Sequence, residues 1–195
     1  MAESGRQGST HGSTRGPGKR GANRELPAAR RERLAAVDDP QVVLDAALRF
    51  LETRQRSVAE VRRRLTTHGY RPELIEGAIA RLLALGILDD EAFTFAWVES
   101  RDRARPRGER ALRQELRLKG IETTLIDTAL EDRRPDPGSV GDPDLAAAAR
   151  LLERHAAALA RVLDPRKRRQ RAYALLARNG FDSEIALTAI RSLEP

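Results

Sequence analysis

Between positions 101 and 119 the chain carries Arg101, Arg103, Arg105, Arg107, Arg110, Arg113, Arg117 and Lys119 against only Asp102, Glu109 and Glu115. Arginine at this density supplies planar, permanently charged guanidinium groups that pair bidentately with phosphates or with carboxylates. If residues 108–119 form a helix, Arg110, Arg113 and Arg117 fall at i, i+3 and i+7 on one face. Leu112 and Leu116 then point about 100° around from that face, toward a core. One helix is thereby anchored by leucines while it presents a guanidinium row. Two further clusters have the same character: Arg62–Arg63–Arg64, and Arg166–Lys167–Arg168–Arg169. Acid–base and metal chemistry have much less to draw on. His11, His68 and His155 lie far apart, cysteine is absent, and no phosphate-binding glycine loop or serine-nucleophile motif occurs. Asp89, Asp90 and Glu91 form the one tight carboxylate cluster, which reads as a helix N-cap with an acidic first turn. The residues point to a binding protein, not an enzyme, with no catalytic residues, no metal and no cofactor.

The elements that position these clusters follow from a repeat. A leucine, a glycine four residues on and a large apolar residue recur as Leu65–Gly69–Tyr70, Leu116–Gly120–Ile121 and Leu176–Gly180–Phe181. Eight residues before each glycine stand Val61, Leu112 and Ala172. Five after come Leu74, Leu125 and Ile185; nine after, Ala78, Ala129 and Ala189; ten after, Ile79, Leu130 and Ile190. Each glycine suits the left-handed C′ position that stops a helix. Ser57 with Glu60 predicts a capping box at the start of one middle helix. In the third copy, Leu145, Ala149, Leu152, Ala156, Leu159 and Leu163 alternate spacings of four and three, which predicts a first helix with a core-facing seam. The expected architecture is all-α: an elongated array of three tandem three-helix repeats with a disordered basic N-terminal tail. The expected boundaries are a tail over 1–38, repeats over 40–87, 88–131 and 144–195, and a proline- and glycine-rich linker over 132–143.

Charge distribution refines the binding role. The net charge is +7, but residues 1–34 hold eight basic and three acidic side chains, so the remainder carries only +2. A surface that attracts anions must therefore arise from local clustering, and the three basic clusters all fall on middle helices. Three like faces at repeat spacing suit a filamentous or polymeric partner. Aromatic residues do not interleave with the basic ones, so stacking on single-stranded bases has little support. No apolar run approaches the roughly 20 residues of a membrane span, and no secretory h-region is present, so a cytoplasmic location without membrane attachment is expected.

These residues resemble the RecX family of bacterial regulatory proteins. Leu88–Asp89–Asp90–Glu91–Ala92–Phe93, with Trp97, Val98 and Arg101, is similar to the family's LDDxxFAxxWVxxR pattern, with Thr94 and Phe95 departing. Gly108, Arg110, Leu112, Glu115, Leu116, Lys119, Gly120 and Ile121 resemble a second family segment. Ser57, Glu60, Leu65, Gly69 and Tyr70 resemble a third, from which Val61 and His68 depart. The resemblance spans about residues 44–195. It implies tandem three-helix units and a protein that lodges in the groove of the RecA filament on single-stranded DNA, contacting DNA directly or through RecA. Restraint of strand exchange, ATP hydrolysis and co-protease activity, within DNA repair and the SOS response, would follow. The expected contacts are Arg101, Arg105, Arg107, Arg110, Arg113, Arg117 and Lys119, with Arg62, Arg63, Arg64, Arg166, Lys167, Arg168 and Arg169 as secondary basic faces. A monomer is expected. The alternatives are a free-standing regulator with helix-turn-helix-like DNA binding and a helical adaptor for another protein.

Overall fold

The computed structural model describes residues 27–133 and 141–192, and among them every regular element is helical. A short helix, α1 (Pro27–Ala35), precedes three units. The first comprises α2 (Pro40–Leu51), α3 (Val58–His68) and α4 (Pro72–Ala84). The second comprises α5 (Asp90–Ala104), α6 (Glu109–Leu118) and α7 (Thr123–Glu131). The third comprises α8 (Pro143–Arg154), the single turn α9 (Ala156–Ala160), α10 (Pro165–Arg178) and α11 (Ser183–Arg191). In every unit the first and the middle helix both pack on the last. No helix among the described residues is long and apolar enough to cross a membrane.

Local chemistry sets the helix ends. Asp39, Ser57, Asp89, Asp142, Asp164 and Asp182 are N-caps whose side chains accept backbone N–H groups of the first turn, and Ser57 with Glu60 completes a reciprocal capping box. The recurring Leu–Gly–apolar frame is a Schellman stop made three times. Gly69, Gly120 and Gly180 have φ of 98°, 76° and 84°. The N–H of the following Tyr70, Ile121 or Phe181 donates to the carbonyl of Leu65, Leu116 or Leu176 at 3.4, 3.1 and 3.3 Å. The frame is also a packing code. Val61, Leu112 and Ala172 are buried, as are the three leucines, the three alanines and Ile79, Leu130 and Ile190. They belong to three separate apolar cores, one per unit.

Three features depart from the expectations. The tail expected over 1–38 lies outside the described residues as far as position 26, but 27–35 is helical: Pro27 starts α1, good helix formers follow, and Leu34 is buried. Leu88, which opens the second motif in the sequence, is buried in the core of the first unit. The predicted seam of the third unit is broken at His155 between α8 and α9, with Ala149 and Ala156 exposed and Leu163 90% exposed. Of the seam, Leu152 is buried in the third core and Leu145 and Leu159 pack against it, joined by Ala147, Ala148 and Leu151. In the run Ala146–Ala149 every face carries a methyl, so spacing alone could not choose the face. The linker expected over 132–143 lies mostly outside the described residues, since 134–140 are among those not described.

The glycines make a sharp contrast. Gly180→Ala is expected to cost at least about 1–2 kcal/mol for the left-handed backbone, and more because its methyl would collide with Ala111. Gly77, inside α4 with open space around it, should gain about 0.5–1 kcal/mol on change to alanine. Urea unfolding of each variant against the parent chain checks both signs.

Candidate functional site

The basic helices are aligned by two junctions built to one plan. At the first, the Ser57 hydroxyl donates to the Lys119 carbonyl at 2.6 Å, and the Val58 N–H donates to the Asp90 carboxylate at 2.8 Å. The Lys119 ammonium reaches Glu60 at 3.2 Å, and Ala59 lies against Gly120, where a methyl would overlap it. At the second, the Gly108 N–H donates to the Asn179 carbonyl at 3.0 Å, the Glu109 N–H donates to Asp144 at 2.9 Å, and Ala111 lies against Gly180. In both, the first turn of a middle helix sits on the glycine stop of the next unit's middle helix. The first N–H of that turn is capped by a carboxylate from the next unit's first helix. Thus α10, α6 and α3 run end to end, carbonyl end to N–H end, an order that their dipoles also favour.

Asp89 caps its own helix, as its sequence position suggests. Asp90 instead caps α3 across the junction. Burial pushes the carboxyl of Asp90 up, and the Val58 N–H holds it back only in part. The same balance, with Glu109 as the donor, raises Asp144. Asp144 also pairs with Arg133, whose side chain is 3% exposed and binds Asp102 at 2.6 Å. Arg133 further donates to the Arg107 carbonyl at 3.0 Å. Burial of the Arg133 guanidinium is outweighed by Asp102 and Asp144, so it stays firmly charged. Sequence reasoning missed this network because Arg133 lies inside the expected linker. The one signal available was the shared place of Asp90 and Asp144 at the head of a unit's first helix.

The structure divides the predicted contact residues. Arg101 binds Glu115 at 2.7 Å and lies 4.2 Å over the Trp97 ring. Arg107 approaches Glu115 at 3.4 Å and donates to the Asn179 side chain. Arg113 pairs with Glu109 at 2.7 Å and with Asp127. Lys119, besides Glu60, lies 4.1 Å over Trp97, whose indole N–H donates to Glu115 at 3.0 Å. These four side chains hold the protein together. Arg105, Arg110 and Arg117 are exposed; Arg110 makes a 3.4 Å contact with the Ala177 carbonyl. Among the secondary faces, Arg62 is held by Glu76 at 2.7 Å, Arg63 reaches the Leu118 carbonyl at 3.5 Å and Arg64 lies over Phe50. Arg166, Lys167, Arg168 and Arg169 are exposed at the start of α10. Phe93 is buried and stacks on Trp97, so neither ring is a free stacking platform.

Charge segregates by the place of the helix in its unit. The middle helix α10 has six basic and no acidic side chains, α3 has three and one, and α6 has three and two. The first and last helices are neutral or acidic: α5 has four acidic against two basic, and α7 has two acidic and none basic. A nearly neutral body therefore carries one positive line along its aligned middle helices.

Three family models match in order. They are the RecX first, second and third three-helix domains, over residues 44–82, 89–130 and 142–190. The Regulatory protein RecX of Streptomyces coelicolor is 35% identical over 144 residues, 74% of this chain and 73% of that protein. The chain belongs to the RecX family. A family member from Pelodictyon phaeoclathratiforme is 32% identical over 147 residues, covering 75% of this chain and 86% of that one. The match to the Mycolicibacterium smegmatis member is 40% identical but shorter, spanning 47% of this chain and 48% of the relative. The crystal structure of RecX from Lactobacillus salivarius shares the fold, with a TM-score of 0.66 at 22% identity over 80% of this chain and 97% of that one.

The first junction carries a pH signature. Burial pushes Glu60 up, but hydrogen bonds from Arg54 and Lys119 outweigh it and hold the carboxyl below its ordinary 4.5. Its stabilising contribution is therefore complete above that ordinary value and is lost as pH falls through the lower folded value. Glu60→Gln should reduce stability at neutral pH and flatten the loss of stability below about pH 5. Asp90 and Asp144, being raised, act in the opposite direction and are unchanged in that variant. Denaturation midpoints across the acid range read the difference.

Proposed function

We propose that this chain regulates a RecA recombinase by lying along the RecA–single-stranded DNA filament and limiting strand exchange, ATP hydrolysis and co-protease activity. The observation that carries this reading is the single positive line formed by α10, α6 and α3 in a body that is otherwise near neutral. Units repeated end to end offer binding faces at regular intervals, and a helical polymer offers the matching intervals. Family membership supports a regulatory role, since the relatives are named regulatory proteins. The mechanism is occupancy, without chemistry: the bound chain excludes the duplex from the groove or blocks filament growth. Arg105, Arg110 and Arg117 are the contacts offered by the second unit, and Arg166, Lys167 and Arg168 those offered by the third. Arg107 and Lys119 act indirectly, by fixing the junctions that align the line, and Arg101 and Arg113 by holding α6 to α5 and α7 within the second unit.

The chain acts as a monomer in the bacterial cytoplasm. The start of α10 supports the monomer, because it is not shaped to seat on another glycine stop. Its N1 residue is Pro165, which has no N–H for a carboxylate, and Arg166 and Lys167 follow in the turn where α3 and α6 carry Ala59 and Ala111.

Co-sedimentation with RecA–single-stranded DNA filaments, together with a strand-exchange assay, tests the proposal. Stoichiometric protein should pellet with the filaments and slow exchange. The combined Arg105→Gln, Arg117→Gln and Arg168→Gln variant should keep its fold, bind more weakly and show a shallower salt dependence by about 2 in log–log slope. No binding and no effect by the parent chain would overturn it.

A further inference from the structure

The glycine stop of the first unit is also occupied, and by an element outside the segments that match the family models. A methyl built on Gly69 would lie 3.0 Å from the carbonyl oxygen and 3.2 Å from the Cβ of Arg31, in α1. Gly69 has the same left-handed backbone as Gly120 and Gly180, on which α3 and α6 sit. The three stops are therefore equivalent seats, and each holds a helix. On Gly69 the seated helix crosses with its middle, whereas α3 and α6 meet their glycines with their first turns.

α1 also shares the character of the helices it lines up with. It has three basic and one acidic side chain, the same tally as α3. It buries Leu34, while Arg30 and Arg31 are exposed. A nine-residue helix is marginal in isolation, so the Gly69 seat and the Leu34 contact are what hold it. A helix serving only to cover apolar surface would bring a broader apolar face; this one brings charge.

We infer that α1 is a fourth member of the positive line, and that Arg30 and Arg31 contact the phosphate backbone of the nucleic acid. The inference rests on the polyanion reading of α10, α6 and α3 given above. Phosphates are favoured over protein carboxylates by the arrangement of the basic residues. The four consecutive cations of α10 project at about 100° intervals around the helix, which suits a flexible, wrapped polyanion better than a fixed carboxylate pattern. Continuity from α3 across Gly69 then brings α1 onto the same strand.

Binding to fluorescent single-stranded DNA, free and coated with RecA, is measured for the full chain as salt is varied. For single strands each phosphate contact contributes about 0.7 to the log–log slope. The Arg30→Gln/Arg31→Gln variant should therefore lose about 1.4 in slope on free DNA. Its unfolding midpoint should be unchanged, because glutamine and arginine have similar helix propensity. Leu34→Ser, which unseats α1 and keeps both arginines, should lose a similar amount of slope. A double variant with the parent slope overturns the inference and leaves the filament proposal standing. A loss seen only on RecA-coated DNA overturns the phosphate assignment, because the arginines would then face protein. A parent chain that binds neither form overturns this inference and the filament proposal together.

Discussion

Each middle helix ends on a glycine whose backbone no other L-residue adopts without strain, and the missing side chain leaves room for a neighbouring helix to sit directly on the turn. Stopping the helix and accepting the neighbour are thus one event. At each unit junction the Ser57 hydroxyl or the Gly108 N–H donates to a last carbonyl of the ended helix, and the first N–H of the seated helix is met by Asp90 or Asp144. Small three-helix units have modest cores and separate apolar clusters, and polar contacts of this kind are what hold them in register. Alignment of the positive line depends on them.

The same constraint explains how arginine is used. Of the residues between 101 and 119, Arg101, Arg107, Arg113 and Lys119 are bound by carboxylates or held over aromatic rings, and Arg105, Arg110 and Arg117 are exposed. At the junctions burial opposes the charge of Asp90, Asp144 and Glu60, and backbone N–H groups or cations face each carboxylate. Charge removed from solvent in this way fixes geometry. Charge left in solvent is available to a partner.

Much of the fold was legible because its determinants are local. Ser57 with Glu60 announced the start of α3, and the three Leu–Gly–apolar frames announced the stops of α3, α6 and α10. The core positions followed from helical periodicity, except where Ala146–Ala149 offered a methyl on every face. The basic character of the middle helices was equally readable. What could not be read was the fate of each cation. Arg113 and Arg117 share a helix face in sequence, yet one is clamped by Glu109 and Asp127 and the other is exposed.

The sequence by itself determined the units, their caps, their glycine stops and the placement of positive charge on the middle helices, since these depend on residues within a few turns of one another. Tertiary structure alone decided that Asp90 and Asp144 cap helices of a neighbouring unit, that Arg133 joins Asp102 to Asp144, and that α1 rests on Gly69. Those partners lie from 11 to 38 residues apart, and no periodicity encodes which carboxylate will meet which N–H once the helices pack.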